Sequence, residues 1–326
     1  MSRKFDVACV GKTTIDQMLT LNQSALKYHL DSKTGDLAFR HGAKIDVEKS
    51  EFCIGGNATN VAVGLSRLGV GSALFSEIGD DEFGLKIHIQ LNKESVDFSH
   101  VRHIKNTSSS FSVVINYKGE RTIFMQRIER ENDFRFDDIV PDYVYLTSLE
   151  REWRQAYRHV LSLVVKKNGC KLVFNPGTLQ LQEGMDVVRQ FLEHTGILLV
   201  NKEEAEQIVF GHEKRAHDNE REYVWELLSA IRKMGAKCVV ITNGKHGSHA
   251  IDSEGNFYHE GLFSGEVVER TGAGDAYSSG FLAGIIHGKN MKEAMKWGAV
   301  NSASVIGKVG ATGGLLRIKE MEGRVS

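Results

Sequence analysis

Thr271-Gly272-Ala273-Gly274-Asp275 sets four small residues directly before a carboxylate and an apolar stretch, AYSSGFLAGIIHG, at 276–288. Residues this small do not pack a core; they suit the start of a helix. Gly272 and Gly274 free the amides there to meet an anion, where the helix dipole also favours negative charge. Asp275 then reads in two ways. It is either a helix cap or a base that takes the proton of a hydroxyl attacking phosphorus. Positioned general bases contribute roughly 10²–10⁴-fold. Gly280, Gly284 and Gly288 follow at i, i+4 spacing, a stripe that lets a neighbouring element approach closely.

A second cluster is FCIGGNATNVAVGLSRLG, residues 52–69. A strand is expected to end at Gly55-Gly56 and a helix to begin near Asn57, with Val61, Leu65 and Leu68 on one face and Gly69 at its end. Asn57 and Asn60 offer amide donors and acceptors to polyol hydroxyls; a turn capped by Asn57 is the structural alternative. A third stretch, VACVGKTTID at 7–16, carries Gly11-Lys12-Thr13, which looks like the end of a phosphate-binding P-loop. The first glycine of such a loop falls on Asp6, inside the strand, and no helix follows, so the tripeptide is a decoy. The strand instead presents polar residues at its C-terminal end. Asp16 is a candidate hydroxyl acceptor there, because open α/β sheets bind ligands outside strand ends.

The elements that must position these residues are legible from about residue 137 onward. DYVYLTSL, CKLVFN, GILLVN and AKCVVIT alternate with helical stretches such as REWRQAYRHVLSLVVKKN and KEEAEQIVFG. The strands are continuously apolar, as in a parallel sheet covered on both faces. Residues 17–50 interrupt this rhythm with polar, alternating pieces. Residues 109–126 read as a hairpin around Lys118-Gly119, so a small separate sheet is expected.

A chain of 326 residues is long enough for one large α/β domain, or for one such domain with a small appendage. Lys+Arg 41 against Asp+Glu 42 leaves a formal charge of -1, which argues against nucleic-acid and membrane-surface partners. Apolar runs fall short of a membrane span, and no secretory leader is read, so a cytoplasmic location is expected. The four cysteines stand singly, signalling neither disulfides nor zinc, and Cys9, Cys53 and Cys238 are expected as buried thiols. The 13 histidines include no H-E-x-x-H pair, and His246 and His249 read as solvated residues of a turn and the strand after it.

GGNATNVAVGLSRLG, SEIGDDEFG (76–84), NKEE (201–204), TNGKHG (242–247) and TGAGDAYSSGFLAG together resemble, in order and over nearly the whole chain, the ribokinase-like (PfkB-type) carbohydrate kinases. The resemblance implies a single α/β domain over 1–326: a doubly wound, mostly parallel sheet flanked by helices, with a small β-sheet lid from about 17–50 and 105–133. It implies transfer of the γ-phosphoryl of ATP to a sugar hydroxyl. Asp275 would be the base, and the amides of Gly272, Ala273 and Gly274 the anion hole. Asn201 and Glu204 would hold a network of Mg2+, water and phosphate, Glu204 acting through water. Thr242, Gly244 and Gly247 would border the nucleotide, with Asn301 near the adenine. Asp16, Gly55, Gly56 and Asn60 would grip the acceptor. The lid would exclude water and pair two copies into a homodimer.

The sequence also departs from the family's pattern. Relatives often bind a monovalent cation near the anion-hole loop, but Glu269 and Arg270 stand where the family usually has aspartate and threonine; Arg270 would instead meet the phosphates of ATP or be solvated. Asn57 replaces the lysine usual in ribokinases. A nucleoside kinase is an alternative reading if Phe39, Phe111 or Phe124 stacks a base. A sugar-phosphate kinase is another if Arg40, Lys44, Arg121 or Arg127 faces the acceptor. A catalytically silent sugar- or nucleotide-binding regulator is the reading from a different class.

Overall fold

The structure, a computed structural model, describes residues 5–22, 27–126, 128–136, 139–167, 169–213, 215–263, 265 and 267–325. From the N-terminus, β1 (Val7–Val10) leads through Gly11–Thr13 into β2 (Thr14–Leu21), followed by the short hairpin β3 (Tyr28–Leu30) and β4 (Leu37–Phe39), and by β5 (Val47–Gly55). Helix α1 (Asn57–Arg67), β6 (Ser72–Gly79), α2 (Glu82–Lys93) and β7 (Val101–Ile104) precede the hairpin β8 (Phe111–Tyr117) and β9 (Glu120–Gln126). Then come β10 (Tyr143–Leu146), α3 (Trp153–Lys166), β11 (Lys171–Phe174), α4 (Thr178–Glu183), α5 (Met185–Leu192), β12 (Thr195–Asn201), α6 (Lys202–Phe210), α7 (Glu220–Lys233) and β13 (Cys238–Thr242). The chain closes with β14 (Ser248–Ile251), β15 (Phe257–Glu260), α8 (Ala273–Ile286), α9 (Met291–Ile306) and α10 (Ile318–Val325).

Nine strands form one sheet in the order β15-β14-β13-β12-β11-β10-β1-β6-β7. It is parallel from β7 through β13, and β14 and β15 add an antiparallel edge. The continuous apolar strands have the expected cause. Every residue of β1 is fully buried: Val7 and Cys9 join the core on one face, Ala8 and Val10 the core on the other. The strand order reverses at β1, between β10 and β6, so the crevice outside the carboxyl ends of these strands is where a ligand is expected. Among the described residues no helix is long and apolar enough to cross a membrane.

A second sheet of four strands runs β5-β2-β8-β9. Its hairpin turns at Lys118 (φ 51) and Gly119 (φ 81), two positive-φ residues whose twist suits a two-residue connection, as the sequence predicts. In the pairing register Asp16 lies beside Ser112, and Asn116 beside Arg121. Side chains alternate along a strand, so Asp16, Ser112, Asn116, Arg121, Ile123 and Met125 share one face of this sheet. Lys12 Nζ lies 3.9 Å from Met125 Sδ, which marks that face as the one turned to the large sheet. The sheet begins at Thr14, so Asp16 belongs to it and not to the end of the first core strand, where the sequence reading put it. Residues 23–26 and 127 of the expected lid segments, Arg127 included, lie outside the described residues.

Two further expectations change. His249 is buried on β14, its ring 4.6 Å from that of His259, and burial pulls its imidazole down to about 4. Cys53 is half-buried, unlike Cys9 and Cys238. The glycine stripe does what its spacing suggests. A Cβ on Gly280 would lie 2.6 Å from the Trp297 carbonyl, and one on Gly284 would lie 2.9 Å from Ala294 Cα, so α8 and α9 pack closely only because both are glycine.

Candidate active site

Helix α8 starts at Gly272, its N-cap, in the left-handed region at φ 77. A Cβ at Gly272 would sit 2.5 Å from Ala311 Cβ, so only glycine turns the chain there. A Cβ at Gly274 meets nothing within 4 Å, which leaves that side of the helix start open. Helical geometry leaves first-turn amides without acceptors in the helix itself. The Ala273 amide makes only a long 3.4 Å bond to the Arg270 carbonyl.

Asp275 lies in this first turn and is not its cap. Its carboxylate is nearly buried and accepts Asn57 Nδ2 on Oδ1 at 3.0 Å and Asn60 Nδ2 on Oδ2 at 2.8 Å. Burial pushes its pKa up to about 6, and the two amide donors restrain the rise. Asn57 is in turn held by the Ser148 hydroxyl, which donates to Oδ1 at 2.9 Å. Asn57 is therefore no cap either. Gly56 fills that place at φ 93, where a Cβ would strike the Lys12 carbonyl. Lys12 makes an ion pair with Glu150 at 3.1 Å, in keeping with its having no phosphate-binding loop.

Gly272, Ala273, Gly274 and Asp275 line a cavity of about 260 Å³. Asn57, Asn201, Glu204 and Thr242 also reach it, each from the carboxyl end of a strand or the turn that follows. Asn201 and Glu204 form a reciprocal cap on α6: the Glu204 amide donates to Asn201 Oδ1 at 2.8 Å, and the Asn201 amide to Glu204 Oε2 at 2.9 Å. Burial pushes Glu204 up to about 7. A second, more apolar cavity of about 170 Å³ adjoins the first through Thr242, Ala273, Gly274 and Tyr277, and takes in Gly244 and Gly247. Gly247 is at φ 78, with the Glu260 carbonyl where a Cβ would go.

Asn301 goes elsewhere. It is fully buried, donates to the Ala276 carbonyl at 2.9 Å and accepts the Leu316 amide at 3.0 Å, tying α9 to α8. Its neighbours Ser302 and Ala303 line the apolar cavity instead. Asp16 stands on the inner face of the small sheet, bonded to Thr14 Oγ1 at 3.1 Å, and burial raises its pKa. Its Oδ2 occupies the space a Cβ on Gly55 would need, so Gly55 is glycine to admit this carboxylate.

Asn175, Arg121 and Arg270 also line the larger cavity; the sequence assigns no role to Asn175 and names Arg121 only as one of several charges able to face the acceptor. The NPGT segment at a strand end was a signal for Asn175, whose side chain bonds Thr147 and the Leu199 carbonyl. Arg121 had no signal beyond its charge, because its place depends on how the small sheet lies over the large one.

The family model described as pfkB family carbohydrate kinase matches residues 6–317. A 5-dehydro-2-deoxygluconokinase of Clostridium perfringens is 26% identical over 321 residues, 93% of this chain and 88% of that protein. An ATP-dependent 6-phosphofructokinase of Thermoanaerobacterium thermosaccharolyticum is 24% identical, over 95% of this chain and 90% of that one. Among solved structures, Arabidopsis thaliana ribokinase complexed with ribose and ATP superposes with a TM-score of 0.74 at 18% identity, covering 99% of each chain.

Proposed function

We propose that this chain, which belongs to the pfkB family of carbohydrate kinases, moves the γ-phosphoryl of ATP onto a hydroxyl of a ribose- or fructose-like sugar, with Asp275 as general base. One observation carries the reading. A buried carboxylate, held by two asparagine amides and raised to about 6, stands in the first turn of a helix whose leading residues Gly272, Ala273 and Gly274 line the same cavity. A carboxylate with a pKa near the working pH takes a hydroxyl proton more readily than an ordinary aspartate.

In the reaction the acceptor oxygen attacks the γ-phosphorus while its proton passes to Asp275. The bond from phosphorus to the β,γ-bridging oxygen breaks, and its electron pair leaves on ADP. The 272–274 amides face charge that develops on the moving group, the kind of preorganised stabilisation that dominates phosphoryl transfer. Glu204, a hard oxygen donor on the cavity wall, suits Mg2+ held partly through water, which would neutralise phosphate charge. The apolar cavity beyond Thr242 suits the base of the nucleotide.

The acceptor class rests on a second set of atoms. Asn60 Oδ1, Asn116 Oδ1 and Glu269 Oε1 are buried acceptors with no donor among the described residues. A ligand rich in hydroxyl groups supplies what they lack. Base stacking has less support. Phe111 stacks on Phe83 at 5.0 Å, Phe39 leans on Tyr28, and Phe124 lies on the face of β9 opposite Arg121. The small sheet would act as the lid, excluding water as a competing acceptor.

ATP consumption against a panel of sugars, sugar phosphates and nucleosides tests the reading. The acceptors implied by the relatives' names, 5-dehydro-2-deoxygluconate and fructose 6-phosphate, head the panel. Asp275→Asn should bind ATP and lose turnover. Unchanged turnover removes Asp275 from its role, and a wild type inert on the whole panel favours a silent binding protein.

A further inference from the structure

The residues lining the cavity beside Asp275 include two arginines that the phosphoryl-transfer reading does not yet use. Arg121 reaches it from β9 of the small sheet, and Arg270 from the loop just before the anion-hole glycines. The Arg121 side chain has no hydrogen bond or ion pair among the described residues. Arg270 has a single loose one, Nε to Glu120 Oε1 at 3.6 Å, between two exposed side chains. Such a surface pair contributes little and leaves the remaining guanidinium donors unengaged.

The placement of Arg121 is a matter of register. It pairs with Asn116 across the hairpin and shares a face with Ile123 and Met125, the face turned to the large sheet. A solvated arginine on the opposite face would reach no part of this site. The remaining lining separates two possible anions. Asn201, Glu204, Thr242 and residues 272–274 share the cavity with both arginines, whereas Asp16, Gly55, Gly56 and Asn60 do not line it. The two arginines therefore share their cavity with the phosphoryl side of Asp275, not with the acceptor's far side.

The geometry points to Arg121 and Arg270 as a two-sided clamp on the transferring phosphoryl group, one arm carried by the small sheet and the other by the anion-hole loop. A planar guanidinium matches the paired oxygens of a phosphoryl group, and a lysine does not reproduce that match. With Arg121 on the covering sheet, placing that sheet over the site and completing the charge around phosphorus become one event. Substrate closure then assembles the catalytic site as well as drying it. This inference rests on the kinase reading of Asp275.

The test compares wild type with Arg121→Ala, Arg121→Lys and Arg270→Ala in two ways. The first is steady-state kinetics on the acceptor found by the panel. The second is calorimetric titration with Mg2+ and either ADP or the β,γ-imido analogue of ATP, which needs no acceptor. Arg121→Ala is expected to lower kcat by roughly 100-fold or more with the acceptor KM nearly unchanged. It should also shrink the preference for the triphosphate analogue over ADP. Arg121→Lys should recover little, and Arg270→Ala should repeat the pattern more weakly. Strand β9 is exposed along its length, so thermal unfolding should be nearly unaltered and serves as the fold control.

A rise in acceptor KM at constant kcat overturns the inference and assigns Arg121 to an anionic group on the acceptor. Unchanged kcat together with an unchanged triphosphate preference overturns it outright. An inert wild type would count against the kinase reading, while the calorimetric comparison would still decide whether Arg121 meets the terminal phosphate.

Discussion

Asn60 Nδ2 lies 2.8 Å from Asp275 Oδ2, joining the first turn of α1 to the first turn of α8 across 215 residues of sequence. Asn57, one turn earlier, takes the other carboxylate oxygen at 3.0 Å. Helix α1 thus holds both oxygens of a buried carboxylate carried by α8. The two amide donors stabilise its charged form against the cost of burial, which is why the pKa rises only to about 6.

The first prediction follows from that balance. Asp275 must be deprotonated to accept a proton, so kcat/KM should climb as pH rises through about 6 and level off above it. Asn60→Ala removes a donor that lowers this pKa, so its acid limb should move to higher pH while turnover well above the limb is partly kept. A pH profile of kcat/KM for both proteins checks this, and a limb that stays in place or moves to lower pH contradicts it.

Gly272 and Gly274 should fail differently when given a methyl group. Gly272→Ala places a Cβ 2.5 Å from Ala311 at a left-handed backbone position, which should cost about 1–3 kcal/mol of stability. Gly274→Ala meets no protein atom within 4 Å, so it should fold normally and lose kcat by crowding the space beside the anion-hole amides. Urea unfolding and turnover of the two variants separate these outcomes.

Glu204→Gln keeps an oxygen to accept the Asn201 amide, so α6 should keep its cap. The variant loses a hard anionic donor from the cavity wall. Initial rate measured against Mg2+ concentration should show a lower maximum and a higher requirement for the ion, with thermal stability little changed.

The small sheet exposes Phe124 (57%) on the face away from the large sheet. If two copies pair through this sheet, sedimentation should show a dimer that Phe124→Glu dissociates. A monomeric wild type ends that expectation.

Much of the site was legible because its signals are local. Gly272, Gly274 and Asp275 declare a helix start with open amides within five consecutive residues, and Gly55-Gly56 declare a strand-to-helix turn. Asn201 and Glu204 declare an N-x-x-E spacing, and the structure adds that the two cap α6 reciprocally and that Glu204 is half-buried rather than an exposed first-turn charge. The continuously apolar runs declare strands covered on both faces, as β1 and β10 to β13 prove to be.

What a side chain meets across the fold follows a different logic. The same helix α9 sends Ser302 and Ala303 to the apolar cavity and Asn301 inward to brace α8 and Leu316, a choice made by how α8 and α9 pack on their glycines. Asp16 passed from the first core strand to the small sheet because the chain crosses between sheets at Gly11–Thr13. Arg121 entered the site through the register of β8 against β9, where a shift of one residue would turn it outward. Sequence alone determined the elements, their order and the residues able to do chemistry, since backbone preference and periodicity act over a few residues. Tertiary structure alone decided which of those residues meet, because such contacts depend on long-range packing that neighbouring residues do not encode.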